Sequence, residues 1–268
     1  MNLVKAHAFG NDFILVDERD LAAVDRPALA REVCERHRGV GADGLIFYRT
    51  TSTGATMRLL NADGSRSEVS GNGVRCLAAW LARGADAAGG TAFDIETEAG
   101  VKRLTLLERN GRRWHFRAAM GNPERILRET IRVNDSPVTA ITLRMGNPQC
   151  VVLGEVSEER LHTVAAALAV HPHFPEGTNV ELAAVEEPRL VRILIWERGV
   201  GPTEASGTGA CAAAVAAITY GGAARDVEVV APGGSQRVEW LDDGVYLTGW
   251  AEVIAEARWL AASRTRNA

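Results

Sequence analysis

Two serines, Ser70 and Ser206, each open a Gly-rich phrase that runs into an Ala-rich apolar stretch. The phrases are Ser70-Gly71-Asn72-Gly73 and Ser206-Gly207-Thr208-Gly209, and they lie 136 residues apart in a chain of 268. A Gly-rich turn at the start of a helix leaves backbone N–H groups without partners inside the helix, and such groups attract anions. The pattern therefore predicts two helix ends that hold a carboxylate between them.

The same separation connects further pairs of residues in the two halves of the chain. These pairs are Gly10-Asn11 with Gly146-Asn147, Gly41 with Gly177, Asp43 with Asn179 and Glu68 with Glu204. Several pairs at one ungapped separation indicate an internal duplication, with a period far longer than that of a repeat array. Two similar halves would present the same groups from opposite sides, which suits chemistry at one carbon that is approached from both faces.

Each of these residues also has a purely structural interpretation. Serine is a common N-cap, and either phrase alone would favour that role, whereas the pair favours a shared ligand site. Glu68 and Glu204 lie two residues before their serines, on the same face of an extended segment. We expect them to be solvated surface carboxylates, with an acid or base role as the alternative. Cys76 and Cys211 lie inside the predicted helices and are interpreted as buried small residues.

The composition argues against several classes of partner. The formal net charge is −4 and the pI is about 5.9, with both signs interspersed, so nucleic acid is a poor partner. The N-terminus lacks the apolar stretch of a signal peptide, and no segment has about 18 uninterrupted apolar residues. These features predict a cytoplasmic protein without a membrane partner. The four cysteines do not cluster and are expected to be reduced.

The sequence also predicts that the protein uses no metal and no cofactor. Neither a C-x-x-C nor an H-E-x-x-H pattern is present, so nothing points to a metal site. Pyridoxal phosphate needs a lysine amine for its Schiff base. The chain offers only Lys5 and Lys102, and neither lies in a Gly-rich phosphate-binding context.

The elements that must position these residues follow from hydrophobic periodicity and turn signals. We predict a mostly apolar central helix in each half, over Gly73–Ala82 and Gly209–Tyr220. Another helix is predicted over Pro27–Arg38, with Pro in its first turn and a glycine as its stop. Strands are predicted at Trp114–Ala118 and Ala140–Met145, with none between them.

Strands outnumber helices, and short connections favour antiparallel pairing. The predicted fold class is α+β, with two pseudo-symmetric domains that arise from an internal duplication. Each domain is expected to be a curved, mostly antiparallel β-sheet wrapped around a central helix. The domains are predicted over residues 1–120 and 121–260, with a tail at 261–268.

At this point the chain resembles the diaminopimelate epimerase family, the cofactor-independent epimerases of the lysine pathway. The matching segments of the first half are Gly10-Asn11-Asp12-Phe13, Gly39-Val40-Gly41-Ala42-Asp43-Gly44, Asn61-Ala62-Asp63-Gly64-Ser65 and Gly71-Asn72-Gly73-Val74-Arg75-Cys76. Those of the second half are Gly146-Asn147-Pro148, Gly177-Thr178-Asn179-Val180-Glu181, Glu197-Arg198-Gly199-Val200-Gly201 and Gly207-Thr208-Gly209-Ala210-Cys211. The resemblance spans essentially the whole chain and implies the paired-domain fold with a site in the cleft.

The resemblance implies which residues line the pocket and bind the amino-acid substrate. They are Asn11, Asn61, Asn72, Asn147, Asn179, Glu197 and Arg198, with Thr208 and the amides of Gly71 and Gly207 completing the carboxylate clasps. The guanidinium of Arg198 suits a planar carboxylate. Arg75 is assigned a surface or packing role.

The departures from the family concern the groups that handle protons. The family has cysteines where this chain has Ser70 and Ser206, and usually a histidine where this chain has Gln149. A thiolate is available as a base near neutral pH, whereas a serine hydroxyl needs an activating neighbour. Gln149 does not titrate, so Glu197 is the candidate partner of Ser206. For Ser70 no such partner is evident.

Three functions follow as hypotheses. The first is a diaminopimelate epimerase-like isomerase that transfers a proton at an amino-acid α-carbon, converting the LL to the meso form, with activity weakened or altered by the serines. The second is a dehydratase or isomerase of the same fold that uses a single acid or base. The third is a non-catalytic protein that binds amino acids. The sequence leaves the oligomeric state open, with a homodimer as one option.

Overall fold

The computed structural model describes residues 1–21, 24–67 and 70–260. The predicted tail at 261–268 and the side chain of Glu68 lie outside the described residues. Within the described part the chain forms 17 strands and five α-helices. This is the predicted α+β fold, in which a curved, mostly antiparallel sheet surrounds a helix in each half.

Eight strands close into a ring around the first half. In ring order they are β1 (Asn2–Ala8), β2 (Asn11–Asp17), β3 (Gly44–Thr50), β4 (Gly54–Asn61), β6 (Ala92–Thr97), β7 (Gly100–Asn110), β8 (Arg113–Gly121) and β17 (Gly244–Arg258), which pairs back to β1. The short β5 (Arg66–Ser67) pairs with β4. The β2–β3 and β4–β6 pairs are parallel, and the other pairs of the ring are antiparallel.

The second half repeats this order with its own strands. They are β9 (Glu124–Val133), β10 (Ser136–Arg144), β11 (Pro148–Leu153), β12 (Asn179–Glu187), β13 (Leu190–Glu197), β15 (Asp226–Ala231) and β16 (Gly234–Leu241), with the short β14 (Gly201–Thr203) beside β13. β16 pairs with β17, and β17 pairs with β8 of the first half. The two halves therefore share β17, which is hydrogen-bonded to strands of both.

A central apolar helix lies inside each half, as predicted. These helices are α2 (Gly71–Gly84), of which nine of 14 residues are buried, and α5 (Gly207–Ala216), of which nine of ten are buried. Each begins two residues earlier than predicted because a serine caps it directly. Ser70 Oγ accepts the backbone N–H of Gly73, and Ser206 Oγ accepts that of Gly209, both at 3.1 Å. The N-cap interaction satisfies a donor that the helix itself cannot.

The remaining helices pack outside the sheets. A single helical stretch runs through α3 (Glu158–Arg160), a π-helical turn (Leu161–Ala165) and α4 (Ala166–Ala169). The first helix, α1 (Arg26–Cys34), ends before the predicted Arg38. There the carboxylate of Glu35 accepts the backbone N–H groups of His37 and Arg38, so these groups are satisfied without a further helical turn. None of the described helices combines the length and apolar character needed to cross a membrane.

One further prediction was wrong, and of the two roles predicted for Arg75, surface or packing, the structure excludes the first. The strand β9 was not predicted, because its residues are mostly exposed and only Ile131 and Val133 are buried, so the apolar alternation of a half-buried strand is missing. Arg75 is not a surface residue: it is 1% exposed and ranks among the largest fully buried side chains.

Candidate active site between two helix N-termini

The N-termini of α2 and α5 meet where the two halves of the molecule face each other. A Cβ atom on Gly71 would lie 3.7 Å from the Cα of Gly207, so the backbones of the two helix starts are nearly in contact. Both helix ends carry backbone N–H groups and the positive end of a helix dipole. Ser70 and Ser206, as the two N-caps, therefore stand side by side at one anion-attracting position.

A cleft of about 1030 Å³ opens at this position. It is lined by twelve of the residues that the sequence singled out: Asn11, Asn61, Ser70, Gly71, Asn72, Asn147, Asn179, Glu197, Arg198, Ser206, Gly207 and Thr208. Gln149 does not line the cleft, because it is 1% exposed and lies behind Asn147, whose Oδ1 accepts its Nε2 at 2.6 Å. The structure thus brings the two Ser-Gly segments and the asparagines together at the cleft. Gln149 lies behind the residues that line it.

The wall formed by the first half is organised around two carboxylates. Asp43 accepts the side-chain amide of Asn11 at 2.7 Å and the guanidinium of Arg36 at 2.8 Å. Burial would raise the pKa of Asp12, but hydrogen bonds from Arg36 and Lys5 outweigh it and lower the pKa to about 2. Both carboxylates thus form hydrogen bonds with neighbouring side chains, and Asp43 orients the amide of Asn11.

The wall formed by the second half presents amides and one guanidinium. Asn179 Oδ1 accepts the backbone N–H of Arg198 at 2.9 Å, which fixes the turn at the end of β13. The Arg198 side chain donates to the backbone carbonyl of Glu176 at 2.8 Å and is largely exposed to the cleft. Its guanidinium can therefore reach a second carboxylate of a ligand that lies along the cleft.

Glu197 is the carboxyl group best placed for proton transfer. Burial raises its pKa to about 7, and the facing hydroxyl of Ser206 partly offsets this by hydrogen bonding to the charged form. At neutral pH such a group exists in both protonation states, which suits a general acid or base. The residue at the matching position of the first half is Asn61, whose amide donates to Ser65 Oγ at 3.0 Å and does not titrate.

A second buried carboxyl, Glu181, was missed as a site residue. It is 0% exposed, and within the described residues neither of its oxygens has a hydrogen-bond partner. A Cβ on Gly209 would lie 2.6 Å from Glu181 Oε1 and 3.1 Å from Ser206 Oγ, so this carboxyl lies directly beneath the start of α5. Burial and the charge of Glu197 raise its pKa well above the ordinary value. The feature of the sequence that indicated this buried carboxyl was a single acidic residue between Val180 and Leu182 in a buried strand.

The other titratable candidates have structural surroundings. Cys76 and Cys211 are 0% exposed, and burial raises the pKa of both thiols, that of Cys211 to about 12, so neither supplies a thiolate at neutral pH. All four cysteines are free, as predicted. Glu204 lies on the rim of the cleft and is exposed. Among the described residues no three His, Cys, Asp or Glu side chains group closely enough to hold a metal ion.

Comparisons with known proteins identify the family. A family model described as diaminopimelate epimerase matches residues 3–126 and 141–254. The diaminopimelate epimerase of Desulforudis audaxviator strain MP104C is 40% identical over 98% of this chain and its whole own length, and that of Moorella thermoacetica is 40% identical over 93% and 95%. A hydroxyproline epimerase from Agrobacterium vitis, solved with bound trans-4-hydroxy-L-proline, shares the fold with a TM-score of 0.72, at 15% identity over 96% and 91% of the two chains. The chain belongs to the diaminopimelate epimerase family.

Proposed function

We propose that the protein moves a proton at the α-carbon of diaminopimelate and so interconverts its LL and meso forms. The observation that carries this proposal is the meeting of two serine-capped helix N-termini in one cleft. Their backbone N–H groups hold the α-carboxylate and stabilise the negative charge that develops when the α-proton leaves. A small amino acid is thus the substrate, and the family relatives carry the name of this activity.

The proton transfer is assigned as follows. Ser206 Oγ takes the α-proton while its own hydroxyl proton passes to the carboxylate of Glu197, which is the activated-serine arrangement. The hydroxyl of Ser70 then gives a proton to the opposite face of the carbanion. Glu197 releases its proton to solvent and the Ser70 oxygen takes one up, so that the balance is restored after each turnover.

The two serines should make this reaction slow. A serine hydroxyl is a far weaker acid than a thiol, and only Ser206 has a titratable partner among the described residues of the cleft. Among the described residues Ser70 Oγ bonds the backbone N–H of Gly73, and the residue that matches Glu197 in the first half is Asn61, whose amide neither accepts nor releases a proton at neutral pH. We therefore expect asymmetric catalysis. On one face of the substrate α-carbon the serine has a titratable partner, and on the other face it has none among the described residues.

Exchange of the α-proton tests the proposal directly. LL-diaminopimelate is incubated with the protein in deuterated buffer, and the loss of the α-proton signal is followed by NMR. We expect exchange above the buffer background that is lost on Glu197→Gln. No exchange at a concentration where a cysteine-containing relative exchanges fully would refute the activity.

Restoration of the thiols tests whether the serines limit the rate. The double variant Ser70→Cys with Ser206→Cys should raise kcat by about 10²–10⁴-fold, the range that a well-placed acid or base supplies. Adding Gln149→His should raise it further, because a titratable group then lies beside Asn147. If the double variant binds diaminopimelate but exchanges no faster than the wild type, the serines are not the limiting groups.

A single-base reaction of the same fold is the second candidate. The observation that favours it is the asymmetry of the cleft, where Glu197 in one half is matched by Asn61 in the other. Elimination of water from a hydroxylated amino acid, or a double-bond shift, needs only one such base. Replacing Glu197 should then abolish the reaction, while replacing the rim residue Glu204 should not. The predicted cytoplasmic location, the homodimer and the domain limits remain predictions.

A further inference from the structure

Arg75 is a buried cation that has no anionic partner among the described residues. It lies on α2 and is 1% exposed, and no carboxylate of the described residues forms an ion pair with it. Burial lowers its pKa to about 10, which leaves the guanidinium charged at neutral pH. Buried charges in proteins are as a rule paired, because an isolated charge in a medium of low dielectric constant is costly. The arrangement therefore calls for a physical explanation.

The guanidinium lies directly behind the two helix N-termini of the cleft. Its Nη1 is 4.0 Å from the position that a Cβ on Gly207 would occupy, and Gly207 lines the cleft. Its Nη2 donates to Gln236 Oε1 at 2.9 Å, its carbon Cζ lies 5.5 Å from the ring centre of Phe9, and its Nε has no partner among the described residues. The positive ends of two helix dipoles and one guanidinium thus lie close together. The hydrogen-bond acceptors that the described residues offer to this guanidinium are neutral groups.

The same guanidinium fixes the direction of a chain of hydrogen bonds that reaches the cleft. Arginine can only donate, so Asn72 Oδ1 must accept from Arg75 Nη2. The Asn72 amide nitrogen then donates to Asn11 Oδ1 and to the backbone carbonyl of Ala205, both at 3.2 Å. The Asn11 amide nitrogen in turn donates to Asp43 at 2.7 Å. Asp43 and the backbone carbonyl of Ala205 also only accept, so the far end of the chain runs in the same direction, and Arg75 adds a charged donor that holds Asn72 in it.

We propose that Arg75 is a positioning residue for the substrate carboxylate: it helps to hold the amide of Asn72, and through it Asn11, in the observed orientation, and its charge is balanced by the carboxylate held at the start of α2 and α5. The inference rests on the carboxylate site of the proposed function. It adds that the anion bound in the cleft is the missing partner of the buried cation. Substrate binding and the charge of Arg75 are then coupled, although the two groups are not in contact.

Gln236→Glu separates the charge of Arg75 from its packing. Glutamate is nearly isosteric, keeps the acceptor for Nη2 and gives the guanidinium an internal counter-charge. The variant should be at least as stable as the wild type, yet bind LL-diaminopimelate about 10- to 30-fold more weakly, because the positive charge is already balanced. The loss should appear in KM and in the dissociation constant from calorimetry rather than in kcat. A Gln236→Glu protein that binds as tightly as the wild type would overturn the electrostatic part of the proposal.

Arg75→Met and Arg75→Lys test the orienting part. In Arg75→Met the side-chain amide NMR signals of Asn72 and Asn11 should shift in the ligand-free protein, and binding should weaken, while Arg75→Lys, which keeps the charge and donates only, should recover part of the affinity. Unchanged amide signals in Arg75→Met would refute this part without any substrate. Leu104→Ala, in the core of the first ring, is the control: it should lower Tm without changing affinity.

Binding and exchange are measured on the same samples, which keeps the two proposals apart. Binding without α-proton exchange would refute the epimerase activity and leave the role of Arg75 measurable. Exchange with an affinity that does not respond to Gln236→Glu would refute the electrostatic role and leave the activity intact. If the wild type binds no diaminopimelate, the carboxylate-balancing role fails with it, and the amide signals still decide the orienting role.

Discussion

At the scale of single residues, two carboxyl groups with raised pKa values lie beneath one serine. Glu197 borders the cleft beside Ser206, and Glu181 lies deeper, against Gly209. In both cases burial is the main cause, since it disfavours the charged form of a carboxyl. Burial raises the pKa of Glu197 to about 7, so Glu197 is the group that titrates near neutral pH, and it raises the pKa of the more deeply buried Glu181 well above its ordinary value.

The titration of Glu197 predicts a pH–rate profile. As a base it must be ionised, so kcat/KM for α-proton exchange should rise with pH and level off above the pKa of about 7. Glu197→Gln should remove this rise and lower the rate by about 10²–10⁴-fold. Glu204→Gln, at the exposed rim, is the matched control. A profile of the Glu197→Gln protein that still rises through pH 7 would assign the base elsewhere.

The burial of Glu181 predicts a stability that falls with pH. In the unfolded chain its pKa is near the ordinary value of 4.5, and in the folded protein it is raised, so only the folded state keeps the proton as the pH rises. Stability from this group is thus full below about pH 4.5 and is lost towards higher pH. Glu181→Gln should therefore unfold at higher urea concentration than the wild type at pH 8 and show a smaller difference at pH 4.5.

The control for this experiment lies on the same strand. Glu187 is an exposed carboxylate at the end of β12, and Glu187→Gln should leave the pH dependence of unfolding as it is in the wild type. If Glu181→Gln and the wild type lose stability in parallel between pH 4.5 and pH 8, Glu181 is ionised in the folded protein.

At the scale of elements, the start of each central helix has two roles. The N-cap serine satisfies the third N–H of the helix, and the remaining N–H groups of the first turn face the cleft. Gly73 in the first turn of α2 is tightly packed, since a Cβ there would lie 3.0 Å from Ile46 Cδ1. The same local structure therefore stabilises the helix and forms the anion site.

Substitutions should distinguish the role of each serine as an N-cap from its role in proton transfer. Ser70→Ala and Ser206→Ala should each lower the free energy of unfolding by about 1 kcal/mol, because one helical N–H loses its acceptor. Ser70→Gly and Ser206→Gly should cost only a few tenths of a kcal/mol, yet lose the hydroxyl equally. If the alanine and glycine variants lose exchange activity alike while their stabilities differ, the hydroxyl acts in the reaction and not only as a cap.

At the scale of the whole molecule, β17 joins the two halves by hydrogen bonds to strands of both. It pairs with β16 of the second half and with β1 and β8 of the first, so the first ring closes only through the C-terminal strand. The cleft lies between the halves, and its geometry depends on both. Loss of packing in one half should therefore unfold the other.

Leu104→Ala tests this cooperativity. Leu104 is 0% exposed in the core around α2, and the change should cost about 2–5 kcal/mol. Calorimetry should show one transition, shifted to lower temperature, with equal calorimetric and van't Hoff enthalpies. Two transitions, with only one of them shifted, would show that the halves unfold independently.

The features that sequence determined by itself are local. A serine followed by glycines specifies an N-cap and a helix start wherever it occurs, and the repeated spacing of Ser70 and Ser206 implied two such starts in equivalent halves. Asn11 and Asn147 followed from the same repeated spacing, whereas Asn61, Asn72 and Asn179 were assigned to the cleft through the resemblance to the family.

The tertiary structure decided what depends on burial and on contacts between distant segments. The raised pKa of Glu197, the buried carboxyl of Glu181 and the guanidinium of Arg75, which has no anionic partner among the described residues, all depend on burial by segments far apart in the chain. The sharing of β17 between the halves is a long-range pairing that no local pattern encodes. Charge in a protein interior is governed by the surrounding dielectric and by partners far apart in the chain, and these exist only once the chain has folded.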